Sequence, residues 1–308
     1  MGDDFKSRLD AVRARIERAA RRAGRDPGSV TLVAVSKSVS VERLREAITN
    51  GCRVFGENRV QEALAKMEEV GARAPAGSEA PAVPGRARGI AEDGASWHSG
   101  GGRVQTGASE PISLSGQAPA GSEAPAAPGR VRGSGASEPI SLGARAPAEI
   151  EWHLIGPLQT NKIKAAVGRF ALLHAVDRLE VAERLDRAAR ERGLTQAVLL
   201  EVNVAGEKTK HGFSPDEVVR VAERMGALQG IRVLGLMAVP PAAGAPEEAR
   251  PYFRRLRILA AEVQAQKIPL VVMQELSMGM SGDFEVAVEE GATLVRIGTA
   301  LFGERGQI

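Results

Sequence analysis

Three stretches of the chain carry side chains that could do chemistry together. The first is TLVAVSK, Thr31 to Lys37, a short apolar run rich in β-branched residues that ends in a lysine. Such a run predicts a buried strand. A lysine at the end of a buried strand can put its amine into an apolar cavity, where burial disfavours the ammonium form. A neutral amine is what Schiff-base chemistry with an aldehyde requires. Taken alone the signal is weak, because lysines at strand ends more often point into solvent.

The other two stretches lie late in the chain. LSMGMSGD (276–283) predicts a small turn between a strand and a helix, with Ser277 and Ser281 among its glycines. Its hydroxyls and backbone N–H groups can hold a phosphate. RIGTALFG (296–303) follows the last predicted strand, with Gly298 allowing close backbone approach and Thr299 adding a hydroxyl. Either turn alone could be no more than a turn. An amine that condenses with an aldehyde, together with a phosphate cradle, implies pyridoxal 5′-phosphate (PLP). A Schiff-base aldolase acting on a sugar phosphate would use the same parts.

These stretches need a scaffold that brings them together, and the element pattern supplies one. Phe5, Leu9, Val12 and Ile16 fall at helical spacing and predict an opening helix ending near Gly24. Strands are expected at 31–37, 53–55, 151–155, 171–176, 196–204, 231–239, 270–276 and 293–297. Helices are expected between them, at 41–50, 60–70, from the GPLQTNK segment to Gly168, 179–192, from Ser214–Pro215 onward, 247–266 and 283–290. Strands alternating with helices point to a parallel sheet. Eight such units in this length predict a closed (β/α)8 barrel, with a doubly wound open sheet as the alternative. No GxGxxG follows the first strand, which counts against a dinucleotide-binding sheet. Functional groups of a barrel gather at the C-terminal strand ends. In order, those ends offer Lys37, Asn58, His153 to Gly156, Asn203, Met237, Ser277 to Ser281 and Arg296 to Thr299.

One segment breaks the pattern. Residues 77–148 hold 14 Gly and 8 Pro, a composition that cannot bury enough apolar surface to order itself. APAGSEAPAVPGRARG (74–89) recurs as APAGSEAPAAPGRVRG (118–133), and GASEPISL occurs at 107–114 and 135–142. GARAPA stands at both 71–76 and 143–148, so excising one copy with all between them joins EEVGARAPA to EIEWHLIG. We read 77–148 as an in-frame insertion into a single domain, bounded by a direct repeat and expected to be disordered.

Composition narrows the function classes. A net charge of +3 over 308 residues gives no strong case for nucleic acid or an anionic membrane as partner. The single cysteine, Cys52, excludes an intrachain disulfide framework and fits a reducing compartment. The N-terminus has no apolar signal core, and no stretch reaches transmembrane length. A cytoplasmic protein is expected.

The segments AVSK, FGENRVQE, WHLIGPLQTNK, EVNVAGEKTKHGF, GLMAVP and LSMGMSGDFEVAVEEGATLVRIGTALFG resemble the YggS/PROSC family of pyridoxal phosphate homeostasis proteins. The resemblance covers the chain outside 77–148. It implies a barrel of the alanine-racemase N-terminal type (PLP fold type III), here expected to lack the C-terminal β-domain of the racemases. It further implies that Lys37 holds PLP as a Schiff base, and that Ser277, Gly298 and Thr299 bind the phosphate with Ser281 nearby. Arg296 would face the pyridine nitrogen, and Asn58 and Met237 would line the ring pocket. His153 and Lys210 match family positions without an assigned role. His153 could serve only a hydrogen bond beside the site, and Lys210 could help move the cofactor. A guanidinium beside the pyridine nitrogen makes the ring a poorer electron sink than an Asp partner would. The racemases' second base, a tyrosine, has no evident counterpart, since the only tyrosine, Tyr252, reads as a packing residue. The expectation is therefore a non-catalytic carrier or buffer handing PLP to apoenzymes. A low-activity PLP-dependent racemase and the aldolase stand as alternatives.

Overall fold

The structure is a computed structural model that describes residues 4–71, 149–207, 210–242 and 244–304. The expected insertion, 77–148, lies outside the described residues. Eight strands pair side by side in sequence order, all parallel, into a closed barrel. They are β1 (Thr31–Val35), β2 (Val54–Glu57), β3 (Glu151–Leu154), β4 (Leu172–Val176), β5 (Gln196–Glu201), β6 (Ile231–Met237), β7 (Val271–Ser277) and β8 (Leu294–Ile297). Closure is made by β1 against β8, with Leu32 opposite Val295 and Val33 opposite Arg296.

The helices are α1 (Phe5–Arg22), α2 (Val41–Thr49), α3 (Val60–Glu69), α4 (Ile163–Ala166), α5 (Leu179–Arg190), α6 (Val218–Met225), α7 (Arg250–Ala265), α8 (Phe284–Glu289) and α9 (Thr299–Phe302). The opening helix α1 buries Phe5, Leu9, Val12 and Ile16, the stripe set by its sequence spacing. It packs beside the two short last helices, α8 and α9. Phe5 meets the Phe302 ring at 5.3 Å, Arg15 pairs with Glu285 at 2.7 Å, and Arg8 Nε donates to the Leu301 carbonyl at 2.7 Å. The first helix thus completes the outer ring where the last two are too short to cover the sheet.

Strand side chains alternate between two layers, as the pleat demands. Outward residues such as Phe55, Trp152, Leu173, Val198 and Val295 pack under the helices. Val33, Leu172, Ala197, Leu199, Met237 and Leu294 form a separate cluster inside the barrel. The register puts His153 opposite Leu172, Met237 opposite Ser277, and Ser277 opposite Leu294. His153, Ser277 and Arg296 therefore share the inner face with that apolar cluster.

Several elements differ from expectation. β5 stops at Glu201 rather than 204, because the chain then pairs with its own returning segment: Asn203 N–H donates to the Phe213 carbonyl and Phe213 N–H to the Glu201 carbonyl. Gly212 permits this, at φ +108, since a Cβ there would lie 2.9 Å from Asn203 N. The helix after β3 is a 3-10 turn, Thr160–Lys162, followed by only four α-helical residues, because the chain is extended at Val167 and left-handed at Gly168. The helix opened by Ser214 and Pro215 begins as a 3-10 turn, with Glu217 accepting the Ser214 N–H at 3.1 Å. α9 was not expected at all.

Gly235 fixes how β6 sits between its neighbours. It stands at a register shift opposite Glu275, and a Cβ there would lie 1.8 Å from the Glu275 carbonyl oxygen. Gly235→Ala is expected to lower stability by on the order of 3 kcal/mol. Urea unfolding should show this as a lower midpoint with an unchanged slope.

Candidate functional site

A cavity of about 720 Å³ opens at the C-terminal ends of the strands. That is within the size range of small-molecule and cofactor sites. Six of the eight residues singled out by sequence line it: Lys37, Asn58, Ser281, Arg296, Gly298 and Thr299. They come from the loops after β1, β2 and β7, from β8, and from the turn that follows it. The loop after β7 and the turn after β8 are tied together where Ala300 N–H donates to Ser281 Oγ at 3.2 Å. Gly279, at φ +89, shapes the first of them, since a Cβ there would lie 2.6 Å from Ala287 Cβ. At Gly298 a Cβ would meet only ordinary contacts, Val35 Cβ being nearest at 3.4 Å, so packing does not demand a glycine there. Gly282 has open space around its α-carbon, so packing does not explain it. Asn58 is backed by Gly156, where a Cβ would meet the Asn58 carbonyl oxygen at 2.6 Å.

Three expectations need correction. Lys37 lies two residues past the end of β1, in a turn, and is half-buried rather than buried. Its cavity is also not apolar, because Arg43, Arg296 and three hydroxyl-bearing residues, Ser38, Ser281 and Thr299, share the wall. Met237 and Ser277 do not line the cavity. Their register points both side chains into the barrel, a layer beneath it, where each is almost fully buried. Among the other strand-end candidates, Asn203 closes its own loop by bonding both backbone groups of Glu207. Lys210 pairs with Glu207 at 2.7 Å and is likewise outside the lining.

Beneath the cavity runs a buried polar chain. Arg296 Nη1 donates to Ser277 Oγ at 2.6 Å, and Nη2 donates to the Ala238 carbonyl at 2.9 Å. A guanidinium can only donate, so Ser277 turns its own proton to His174 Nδ1, 2.8 Å away. That assigns His174 the Nε2–H tautomer, donating to His153 Nδ1 at 2.9 Å. His153 Nε2 then faces the Glu151 carboxylate at 3.8 Å. His153 thus takes part in a hydrogen bond below the site.

Burial sets the charges of this chain. Desolvation lowers the Arg296 pKa to about 10, against the pull of Asp283 and Glu201, so it stays a cation at neutral pH. Desolvation holds the His174 imidazole well below the usual histidine range, and His153 and Arg296 push the same way. Glu201 is raised by burial and then by Asp177.

Comparison with known proteins places this arrangement. A family model described as "Alanine racemase, N-terminal domain" matches residues 7–306. The pyridoxal phosphate homeostasis protein of Aquifex aeolicus is 37% identical over 298 residues, 97% of either chain. That of Pseudomonas aeruginosa is 34% identical, over 96% of this chain and 93% of its own. The chain belongs to the pyridoxal phosphate homeostasis protein family. PipY of Synechococcus elongatus PCC7942, a structure with PLP bound, superposes with a TM-score of 0.64 at 30% identity, covering 97% of this chain and all of PipY. An alanine racemase of Clostridium difficile shares the fold, at 11% identity and a TM-score of 0.58.

In this member of the family, sequence reasoning missed His174 and Arg43. His174 was recoverable, because it stands two residues after Leu172 on a predicted strand and must share its face. Arg43 was not, because nothing in an arginine on an amphipathic helix tells which neighbour its tip reaches. Here it donates to the Phe302 carbonyl at the cavity edge.

His174 gives the barrel a pH signature. The unfolded imidazole takes a proton as pH falls through about 6.5, while the buried one does not. Stability attributable to His174 is full above that pH and is lost as pH falls, by up to about 1.4 kcal/mol per unit, until the folded imidazole also charges. The stability difference between wild type and His174→Gln should therefore be flat above pH 7 and turn against wild type below 6.5. Urea titrations at stepped pH would measure it, and a pH-independent difference would contradict the assignment.

Proposed function

We propose that this chain holds PLP in the cavity through Lys37 and serves PLP homeostasis as a carrier or buffer. The observation that carries the reading is the convergence in one cavity of a lysine amine, a buried guanidinium and a turn pair bearing Ser281, Gly298 and Thr299. The residues fit the group. The hydroxyls of Ser281 and Thr299, with the Cβ-free backbone at Gly282 and Gly298, suit a phosphate. PLP itself would supply an aldehyde carbon able to form a Schiff base with the Lys37 amine. Arg296, a donor fixed from below by Ser277 and Ala238, would face the ring nitrogen and leave it unprotonated. Asn58 and Ile155 would border the ring, with Met237 supporting the floor from beneath. Ser277 would act on the ligand through Arg296 rather than by touching the phosphate.

Support for a binder over a racemase comes from the names of the relatives and from the absence of a tyrosine among the described lining residues, whose one carboxylate is Glu304. Tyr252 sits on α7, packed against the outer apolar layer. The relatives are named for homeostasis, and PLP-dependent apoenzymes are the recipients we propose. A cytoplasmic location is consistent with the buried lone Cys52, and no described helix is long and apolar enough to cross a membrane.

The insertion reading of 77–148 enters the same proposal. On one side the described residues run two past the end of α3, to 71, and on the other they begin at 149, two before β3, whose Glu151 pairs with Val54 at the starts of their strands. That is the barrel end opposite the cavity, so the segment should be dispensable for the site.

Purified protein mixed with PLP should show a visible absorbance band of the bound Schiff base. Borohydride should trap it on the Lys37 peptide, and Lys37→Ala should abolish both. A chain lacking 77–148 should keep the band. No band with folded wild type would remove PLP from the cavity. Amino-acid α-proton exchange in D2O should stay at the level of free PLP, whereas rapid Lys37-dependent exchange would restore the racemase reading.

A further inference from the structure

The turn that presents Lys37 is held from outside the cavity. Val39 N–H donates to the Ser36 carbonyl at 2.9 Å, which closes a four-residue turn with Lys37 and Ser38 at its centre. Ser38 has φ +61, the left-handed region that glycine normally occupies in such turns. A serine there needs compensation, and α3 supplies it at both flanks of Lys37. Glu62 Oε1 accepts the Ser38 N–H at 2.7 Å. One helical turn on, Lys66 Nζ donates to the Ser36 carbonyl at 2.6 Å. Lys66 also donates to Glu62 Oε1 at 2.8 Å, so the two grips are coupled. Its third donor goes to Glu57 Oε1, again at 2.8 Å. Glu57 is fully buried at the end of β2 and also accepts from Ser36 Oγ at 2.7 Å. An ammonium has three donors, and all three are spent on this one junction.

We infer that Glu62 and Lys66 are positioning residues that hold the Ser36–Val39 turn in the shape that aims the Lys37 amine into the cavity. Neither lines the cavity, and both reach the turn at its backbone, on either side of Lys37. The clamp rests on the PLP reading only for what Lys37 does. The shape of the turn is a property of the chain alone.

Glu62 is the residue to test, because its side chain is 30% exposed and its loss is tolerable to the fold. Removing Lys66 would strand the buried Glu57 charge and could unfold the protein. The variants are Glu62→Ala, Glu62→Gln, which keeps an acceptor for Ser38 N–H, and Glu62→Ala with Ser38→Gly, which makes the left-handed turn sterically free. Two quantities are measured on the full chain: amide exchange at Val39 without cofactor, and the rate at which PLP is captured on Lys37, trapped by borohydride.

Glu62→Ala should raise Val39 exchange and slow capture, each by about tenfold. Glu62→Gln should stay near wild type on both counts, and the added Ser38→Gly should restore both. Unchanged Val39 exchange in Glu62→Ala would overturn the clamp. Faster exchange with an unchanged capture rate would overturn its role toward Lys37, as would failure of Ser38→Gly to rescue. If wild type captures no PLP, the proposed function falls, while Val39 exchange still decides whether the clamp holds the turn.

Discussion

The buried guanidinium of Arg296 is the constraint on which the rest of the site depends. A charge removed from water must have its donors met by fixed acceptors, or the fold loses several kcal/mol. Arg296 lies on the inner face of β8 because Val33 and Leu294 lie there, and strand periodicity leaves it no other side. Its donors reach Ser277 on β7 and the Ala238 carbonyl just past β6. Three consecutive strands are locked at their C-terminal ends by one side chain. Ser277, having accepted from Arg296, needs a partner for its own proton, which accounts for a histidine at position 174 and a second at 153. The polar chain is the consequence of placing one cation inside a barrel.

The same constraint distributes the work of the site. A donor held from below cannot swing, and a cation that keeps its proton at neutral pH offers a ring nitrogen a hydrogen bond and never a proton. In the carrier reading this is an advantage, because it leaves the cofactor bound but electronically quiet. The Lys37 amine, which the proposal makes the reactive one, sits instead on a turn after β1. One half of the site is rigid because burial makes it so. The other half takes its shape from hydrogen bonds to α3, which touch the backbone on both sides of Lys37.

Much of this was legible in the chain. The eight strands fall near short apolar runs, because a strand buried on both faces has to be apolar nearly throughout. The two glycine turns announced themselves by their small residues, and Gly279 answers a local need, a positive φ where a Cβ would also clash. Ser277 was misplaced by the same evidence. It belongs to the turn motif by sequence, yet it is the last residue of β7, and the pleat points it inward. His174 was overlooked because a histidine within an apolar strand carries no local mark of its partners. The Glu57–Lys66 pair was invisible for a plainer reason, since an acid after a strand and a lysine on a helix look like any solvated charges.

The sequence by itself determined the barrel, the order of its elements, the lysine and the small-residue turns, because period, β-branching and glycine act on neighbours along the chain. The tertiary structure decided which of those residues share a cavity and which lie beneath it. It also decided which charges are buried and therefore matched. Those properties come from the register between strands and from loss of water, and both depend on residues that are distant in the sequence and adjacent only once the barrel has closed.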